Sequence, residues 1–286
     1  MNEKETTNPI KQVNDYKRQQ RSSKLTSQTT PHRSKSQEIQ EPGDAYIIGK
    51  QKLQNEEKIK IAKYVLENYI EDYYSVAIDA GSTSQQIIEQ MMQNRKFLSI
   101  LTNNMTAFRQ NSKQNVELTA NEFILTGGKY VALFDALLGN ETINSFELFH
   151  PHIVIIGASG FIANKGFFCH GNDEKAVKKL LFEKRNISKV IIPVDYSKLG
   201  RSDSYLFGEI SDIKIENRQN CEVVIIPPLA PTVPKRTGKK GDDESILTSF
   251  EEQKKEYEGK KADYENKKEA LSILSDYGIK VNEIKP

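Results

Sequence analysis

Several features are scarce in this 286-residue chain, and each scarcity excludes a class of protein. There are only two cysteines, Cys169 and Cys221, far apart and in no ligand spacing. That excludes a disulfide framework and fits reduced thiols in the cytoplasm. The formal net charge of +2 is too small to imply nucleic acid from bulk electrostatics. Apolar runs such as Ile153–Ile156 are far too short to span a bilayer, and Met1–Ile10 has no apolar export region. A soluble protein without a membrane partner is expected. Hydrophobic residues make up 37% of the chain and its mean hydropathy is -0.62, so part of the length is expected to lie outside any core.

That part falls at the two ends. Residues 1–43 form a polar leader with a mild basic excess and isolated apolar residues (Ile10, Val13, Leu25, Ile39), too few to offset the entropy of ordering. A disordered leader is expected, with a nucleic-acid or partner-docking arm as the alternative. Residues 231–286 begin with Pro231, Pro234 and the basic run Lys235–Lys240, which read as a linker. A seven-residue repeat follows, with Phe250, Tyr257, Tyr264 and Leu271 in register. One large apolar residue per heptad is too narrow a seam for a stable coiled coil. A charged helix lying against its own domain, or docking a protein partner, is expected there.

Between them, residues 44–230 alternate short apolar runs with amphipathic segments. Asn55–Ile70 carries Ile59, Ala62, Leu66 and Tyr69 on one helical face. Strands are expected at Val76–Ile78, Phe97–Leu101, Val116–Leu118, Glu122–Leu125, Ile153–Ile156 and Lys189–Val194, with Cys221–Ile226 as the last. Helices are expected at Gln85–Met92, Asn104–Ser112, Val131–Leu138 and Asp173–Arg185, with a loop holding Gly166 and Gly171. This is the pattern of an α/β fold: a Rossmann-like, mostly parallel sheet flanked by helices.

In such sheets ligands sit beyond the carboxyl ends of the strands. Polar or glycine motifs follow strand after strand: Asp79-Ala80-Gly81-Ser82-Thr83-Ser84, Thr102-Asn103, Thr126-Gly127-Gly128, Gly157–Gly160 and Asp195–Lys198. The first joins a strand to a helix start, where unpaired backbone N–H groups and three hydroxyls make an anion cradle; an ordinary turn with a Ser/Thr cap is the alternative. Convergence of the motifs on one sheet edge favours a binding loop. His150 and His152 lack a third ligand nearby, and Cys169-His170 reads as loop packing rather than a nucleophile pair. No motif asks for a cofactor.

The order of these motifs resembles the C-terminal effector-sensing domain of DeoR/GlpR-type bacterial transcription regulators. The likeness runs from Lys60-Ile61-Ala62 through Asp79–Ser84, Leu101-Thr102-Asn103, Leu125–Gly128, Ile155-Ile156-Gly157, Gly160 and Gly166 to Glu174, Val177-Lys178 and Asp195–Gly200. The resemblance implies a fold similar to ribose-5-phosphate isomerase and a phosphorylated sugar or related metabolite as ligand, its phosphate near Gly81–Ser84. Lys198 would supply formal charge, while Asp79, Asn103 and Asp195 would meet sugar hydroxyls. Thr102, Gly127, Gly128, Gly157, Glu174 and Lys178 complete the candidate set, with Lys178 and Glu174 one helical turn apart and able to pair with each other.

Regulators of that family carry an N-terminal helix-turn-helix. Residues 1–43 lack the apolar periodicity for three packed helices, so direct sequence-specific DNA binding is not expected of them. A stand-alone sensor, acting through its tails or a homo-oligomer, is the expected function. The alternatives are an isomerase-like enzyme, with Asp79, Glu174 or Asp195 as base beside Lys198, and an accessory nucleic-acid-associated protein.

Overall fold

A computed structural model describes residues 55–111, 119–186, 188–211, 220–234 and 244–285, all within one compact unit, Gln40–Pro286. The leader, the expected strand Val116–Leu118 and the basic run Lys235–Lys240 lie outside the described residues. The first half of the fold is α1 (Asn55–Tyr69), β1 (Ser75–Ile78), α2 (Ser82–Asn94), β2 (Ser99–Thr102), α3 (Met105–Asn111) and β3 (Glu122–Leu125). Next come β4 (Lys129–Val131), β5 (Ala136–Leu138), α4 (Asn140–Leu148), β6 (Ile153–Ile155), β7 (Gly160–Ile162), β8 (Gly166–Cys169) and α5 (Asn172–Glu183). The chain continues through β9 (Lys189–Asp195), β10 (Tyr205–Glu209), β11 (Cys221–Ile226), α6 (Glu244–Asp276) and β12 (Lys280–Glu283).

Seven strands form one parallel sheet in the order β12-β11-β9-β6-β1-β2-β3. The side-chain period of two sends alternate residues to opposite faces. Val76, Ile78, Ile100, Ile155 and Ile191 meet Ile61, Val65, Ile87 and Met91 of α1 and α2 on one side. Ala77, Leu101, Val154, Ile192 and Val223 meet Phe146 of α4, Val177, Leu181 and Phe182 of α5, and Leu271 and Leu274 of α6 on the other. Burial on both faces explains why these strands read as continuous apolar runs.

The chain lays β1, β2 and β3 outward in one direction, then returns and lays β6, β9, β11 and β12 in the other. The reversal leaves a crevice between the carboxyl ends of β1 and β6, where connections diverge to opposite sides.

Three expectations are corrected. Val131–Leu138 is not a helix but the end of an antiparallel hairpin, β4–β5. Its apolar spacing fits a helix, yet Asp135 turns the chain at φ 45 and its carboxylate accepts from Thr106 Oγ1 (2.5 Å), Arg109 Nη2 (2.5 Å) and Tyr130 OH (2.8 Å). The loop holding Gly166 contains β7 and β8, which with β10 build a three-stranded antiparallel sheet. Its Phe161, Phe167 and Phe207 cluster, and Phe167 and Phe207 reach Phe182 of α5. Cys221–Ile226 is not the last strand, because β12 adds in parallel to β11. Glu222 secures that edge, taking Lys189 Nζ at 2.7 Å, Tyr69 OH at 2.7 Å, Asn282 Nδ2 at 3.0 Å and Lys280 Nζ at 3.2 Å.

Candidate functional site

The crevice at the strand reversal opens into a cleft of about 70 Å³ lined by α2's first turn, the Gly157–Ser159 loop, α5 and the end of β9. Beneath it lies an ion pair that ties the elements together. Asp79, 1% exposed, follows β1 directly, and one of its carboxylate oxygens accepts from Gly157 N (3.0 Å) and Ser84 Oγ (2.8 Å). The other takes Lys178 Nζ of α5. Lys178, 3% exposed, also donates to Gly157 O (2.8 Å) and lies 3.4 Å from Glu174 Oε1. So Lys178 pairs first with Asp79, and Glu174 is secondary. Burial works to lower the Lys178 pKa; the carboxylates of Asp79 and Glu174 outweigh it and hold the ammonium above its ordinary value.

Above this floor, Gly81 precedes α2 in an extended conformation, and no side chain caps the helix. Its carbonyl accepts from Gln85 N (2.9 Å) and Asn104 Nδ2 (3.2 Å). Gly81, Ser82, Thr83 and Ser84 of that first turn line the cleft, and the leading amides of the helix have no side-chain cap. Opposite, Asp195 ends β9 and caps the short turn Tyr196–Lys198, its Oδ1 accepting from Ser197 N at 3.0 Å. The cap fixes the backbone that presents Lys198. Glu174 caps α5 in turn, Oε2 accepting from His170 N (3.2 Å) and Gly171 N (3.3 Å).

The structure thus brings Gly81, Ser82, Thr83, Ser84, Gly157, Glu174, Lys178, Asp195 and Lys198 to one cleft, with Asp79 as its buried base. Thr102, Asn103, Gly127 and Gly128 do not line it. The Thr102 hydroxyl accepts from Asn104 N (3.1 Å), and Asn103 borders a separate small chamber. Gly127 O accepts from Thr142 Oγ1 (2.6 Å), and a Cβ on Gly128 would stand 2.7 Å from Leu138 O, so that glycine pair serves a packed turn.

Lys58, Ser159 and His170 also line the cleft: Ser159 lies within the expected Gly157–Gly160 motif, His170 was expected only to pack its loop, and Lys58 was not among the candidate ligand residues. Lys58 is 5% exposed although it belongs to α1, far from the other residues in sequence. Burial lowers its pKa, Asp195 raises it and Lys198 lowers it again, with a net shift downward. Its signal was present: Lys58 stands three residues before Ile61, on the helix's apolar face. His170 Nδ1 lies 2.5 Å from Asp203 Oδ2 and is fixed at the rim. Cys169 stays inert, its thiol pushed up to about 12 by burial. No cluster of metal-ligating side chains occurs among the described residues, and none of their helices is long and apolar enough to cross a membrane.

A doubly wound sheet with a polar cleft at its switch point is the α/β arrangement in which ligands sit beyond the carboxyl ends of the strands. Residues 53–216 match the model of the DeoR C terminal sensor domain, and the chain belongs to that family. It is 27% identical over 174 residues to the HTH-type transcriptional regulator GlpR of Haloferax volcanii, covering 60% of this chain and 65% of that relative. It is 25% identical over 183 residues to the HTH-type transcriptional repressor GlcR of Bacillus subtilis, covering 62% and 67%. The chain thus spans about two thirds of the length of these curated relatives. Similar solved structures include ribose 5-phosphate isomerase from Plasmodium falciparum (TM-score 0.32, 16% identity, 50% of this chain and 52% of that one). Another is eIF2B beta from Chaetomium thermophilum (TM-score 0.37, 13% identity, 53% and 41%).

Proposed function

We propose that this protein is a metabolite-sensing regulatory module whose cleft binds a phosphorylated sugar or a related small phosphometabolite. The observation that carries the reading is the uncapped first turn of α2, which faces a cleft also lined by Lys58 and Lys198. Backbone N–H groups at a helix N-terminus favour an anion, and two ammonium groups add the formal charge that a phosphate requires. Kinship with regulators points the same way, since the matching family model describes a sensor domain.

The carboxylates favour binding over proton transfer. An isomerase needs one that is available to take a proton from substrate. Asp79 is held by three donors, Glu174 caps α5, and Asp195 caps its turn. A ligand on Lys198 also has a route outward. Tyr196 shares the turn, and Lys267 of α6 lies 5.4 Å from its ring centroid. In this reading the signal passes through α6, or through a homo-oligomer, to a protein partner.

A thermal-shift screen with triose, pentose and hexose phosphates and with nucleotides tests the reading, because a ligand that binds only the folded state raises Tm by mass action. At least one sugar phosphate is expected to raise Tm, and the shift should vanish in the Ser82→Ala/Lys198→Ala double variant. A shift that survives both substitutions would place the ligand elsewhere. Turnover of the hit would replace the sensor with an enzyme.

A further inference from the structure

The two outer strands of the large sheet are built differently. β12 carries exposed Lys280 and Glu283 at its two ends, charges of the kind that keep a bare edge from pairing. β3, Glu122-Phe123-Ile124-Leu125, has three apolar residues in a row and no strand beyond it among the described residues. Glu122 N donates to Leu98 O (2.7 Å) and Thr126 N to Thr102 O (2.9 Å), so every second residue of β3 turns its backbone toward β2. The N–H and C=O groups of Phe123 and Leu125 therefore point to the open edge. Exposed apolar side chains gather at the same edge. Ile124 is in β3 itself, and Tyr130 and Leu133 are in the hairpin that follows its carboxyl end. At its amino end stand Phe97, whose N–H bonds Thr119 O (3.0 Å), and Tyr73, stacked on Phe97 with ring centroids 4.7 Å apart. Those five are most of the eight large hydrophobics exposed among the described residues, so the bare surface is concentrated on one edge.

We propose that two copies of this chain pair along β3, antiparallel about a two-fold axis at Ile124. The inference goes beyond the reading of the cleft and does not depend on it. In that register Phe123 lies opposite the partner's Leu125, and the two exchange N–H and C=O, which satisfies the open backbone groups of both strands. Ile124 meets the partner's Ile124, and Glu122 meets the partner's Thr126, so no like charges are opposed. Antiparallel pairing also sets the amino end of one β3 beside the carboxyl end of the other. Tyr73 and Phe97 of one copy then approach the partner's Tyr130 and the partner's Leu133, and the axis repeats the contact. A second copy is the occupant because this edge supplies both halves of the surface: open backbone groups, a central isoleucine and an apolar patch at each end. The same hairpin borders Ala80, Glu174 and Lys178 through Phe134, Ala136 and Leu138, which puts the interface one hairpin away from each cleft.

Sedimentation of the full chain together with cysteine cross-linking tests this. The chain should sediment as a dimer at micromolar concentration. Ile124 is 39% exposed, so its substitution should leave the subunit folded. Ile124→Lys, which opposes like charges across the axis, should weaken the dimer by about tenfold or more, and mixing it with Ile124→Glu should restore it. The chain's own cysteines, Cys169 and Cys221, are both buried. Ile124→Cys should therefore give one intermolecular disulfide under mild oxidation, because directly opposed residues of a non-hydrogen-bonded pair lie about 4.5 Å apart at Cα. Glu122→Cys should not, since the two copies of that position are offset by roughly 13 Å along the strands. A chain that stays monomeric overturns the proposal. So does a dimer that survives Ile124→Lys or leaves Ile124→Cys unlinked, because its interface is then elsewhere. Equal linking of Glu122→Cys overturns the register and with it the axis at Ile124. Should Ile124→Lys fail to fold, the two cysteine variants decide.

Discussion

Two glycine-bearing loops leave parallel strands of the same sheet at the same edge, and they do different work. Asp79–Ser84 follows β1, which has β2 on one side and β6 on the other. Thr126–Gly128 follows β3, the edge strand. Gly81 is extended, and a Cβ there would meet nothing closer than Ser84 Oγ at 3.6 Å. Gly128 has φ +125 and is pressed against Thr142 and Leu138. Both motifs look like ligand loops in isolation. The strand that each leaves separates them: at the switch point the chain diverges and leaves a crevice, whereas at the edge it folds straight back into a hairpin that fills the space.

Substitutions can break this contrast. Asp79→Asn should have the largest effect, leaving the Lys178 ammonium buried with only Glu174 opposite it. A loss of about 4 kcal/mol is expected in urea unfolding, in the range for breaking a buried pair. A loss below about 1 kcal/mol would mean that the pair does not hold the crevice together.

Glu222, in β11 next to the outer strand β12, is a buried carboxylate with structural partners only, and it allows the same comparison by pH. Burial raises its pKa, but hydrogen bonds from Lys189, Tyr69, Lys280 and Asn282 outweigh that and bring it to about 2, below the ordinary 4.5. The folded value is the lower one, so its stabilisation is full above pH 4.5 and is lost as pH falls through 2. About 2–3 kcal/mol should disappear across that window. Glu222→Gln should flatten the profile there; an unchanged acid limb would remove Glu222 as its cause.

Gly128→Ala should cost about 2 kcal/mol, from the positive φ and the close carbonyl together. Phosphate affinity of the folded fraction should not change. Lys198→Ala should do the reverse, holding Tm near its original value while weakening phosphate about tenfold, or about 1.4 kcal/mol. Smallest of all, Gly81→Ala should shift stability by less than about 0.5 kcal/mol. If Gly81→Ala proved as damaging as Gly128→Ala, the distinction between the loops would fall.

Much of the fold was legible in the residues. Strands buried on both faces need only a short apolar run, and β1, β2, β6, β9 and β11 each have one; the edge strand β3 reads the same way although it is half exposed. The antiparallel elements were harder. β7 and β8 are each a glycine followed by only two or three apolar residues, too short to stand out, and Val131–Leu138 carries a helical spacing that the Asp135 turn overrides. Lys280–Glu283 mixes charge with apolar residues because β12 is an edge strand, exposed along much of its length. Of the candidate site, the motifs after β1, β6 and β9 were visible. Lys58 offered only the hint of its place on the apolar face of α1, because a lysine in a leading helix looks solvated until the sheet covers that face.

The sequence by itself determined a parallel α/β sheet, the polar loops at its carboxyl edge and the family to which it belongs, because strand periodicity and local turn chemistry are written in neighbouring residues. Tertiary structure alone decided which of those loops share a cleft. It paired Lys178 with Asp79 across 99 positions of chain, brought Lys58 beside Asp195, and left the Asn103 oxygen buried without a donor. Those outcomes depend on strand order, and strand order is a property of how distant segments pack.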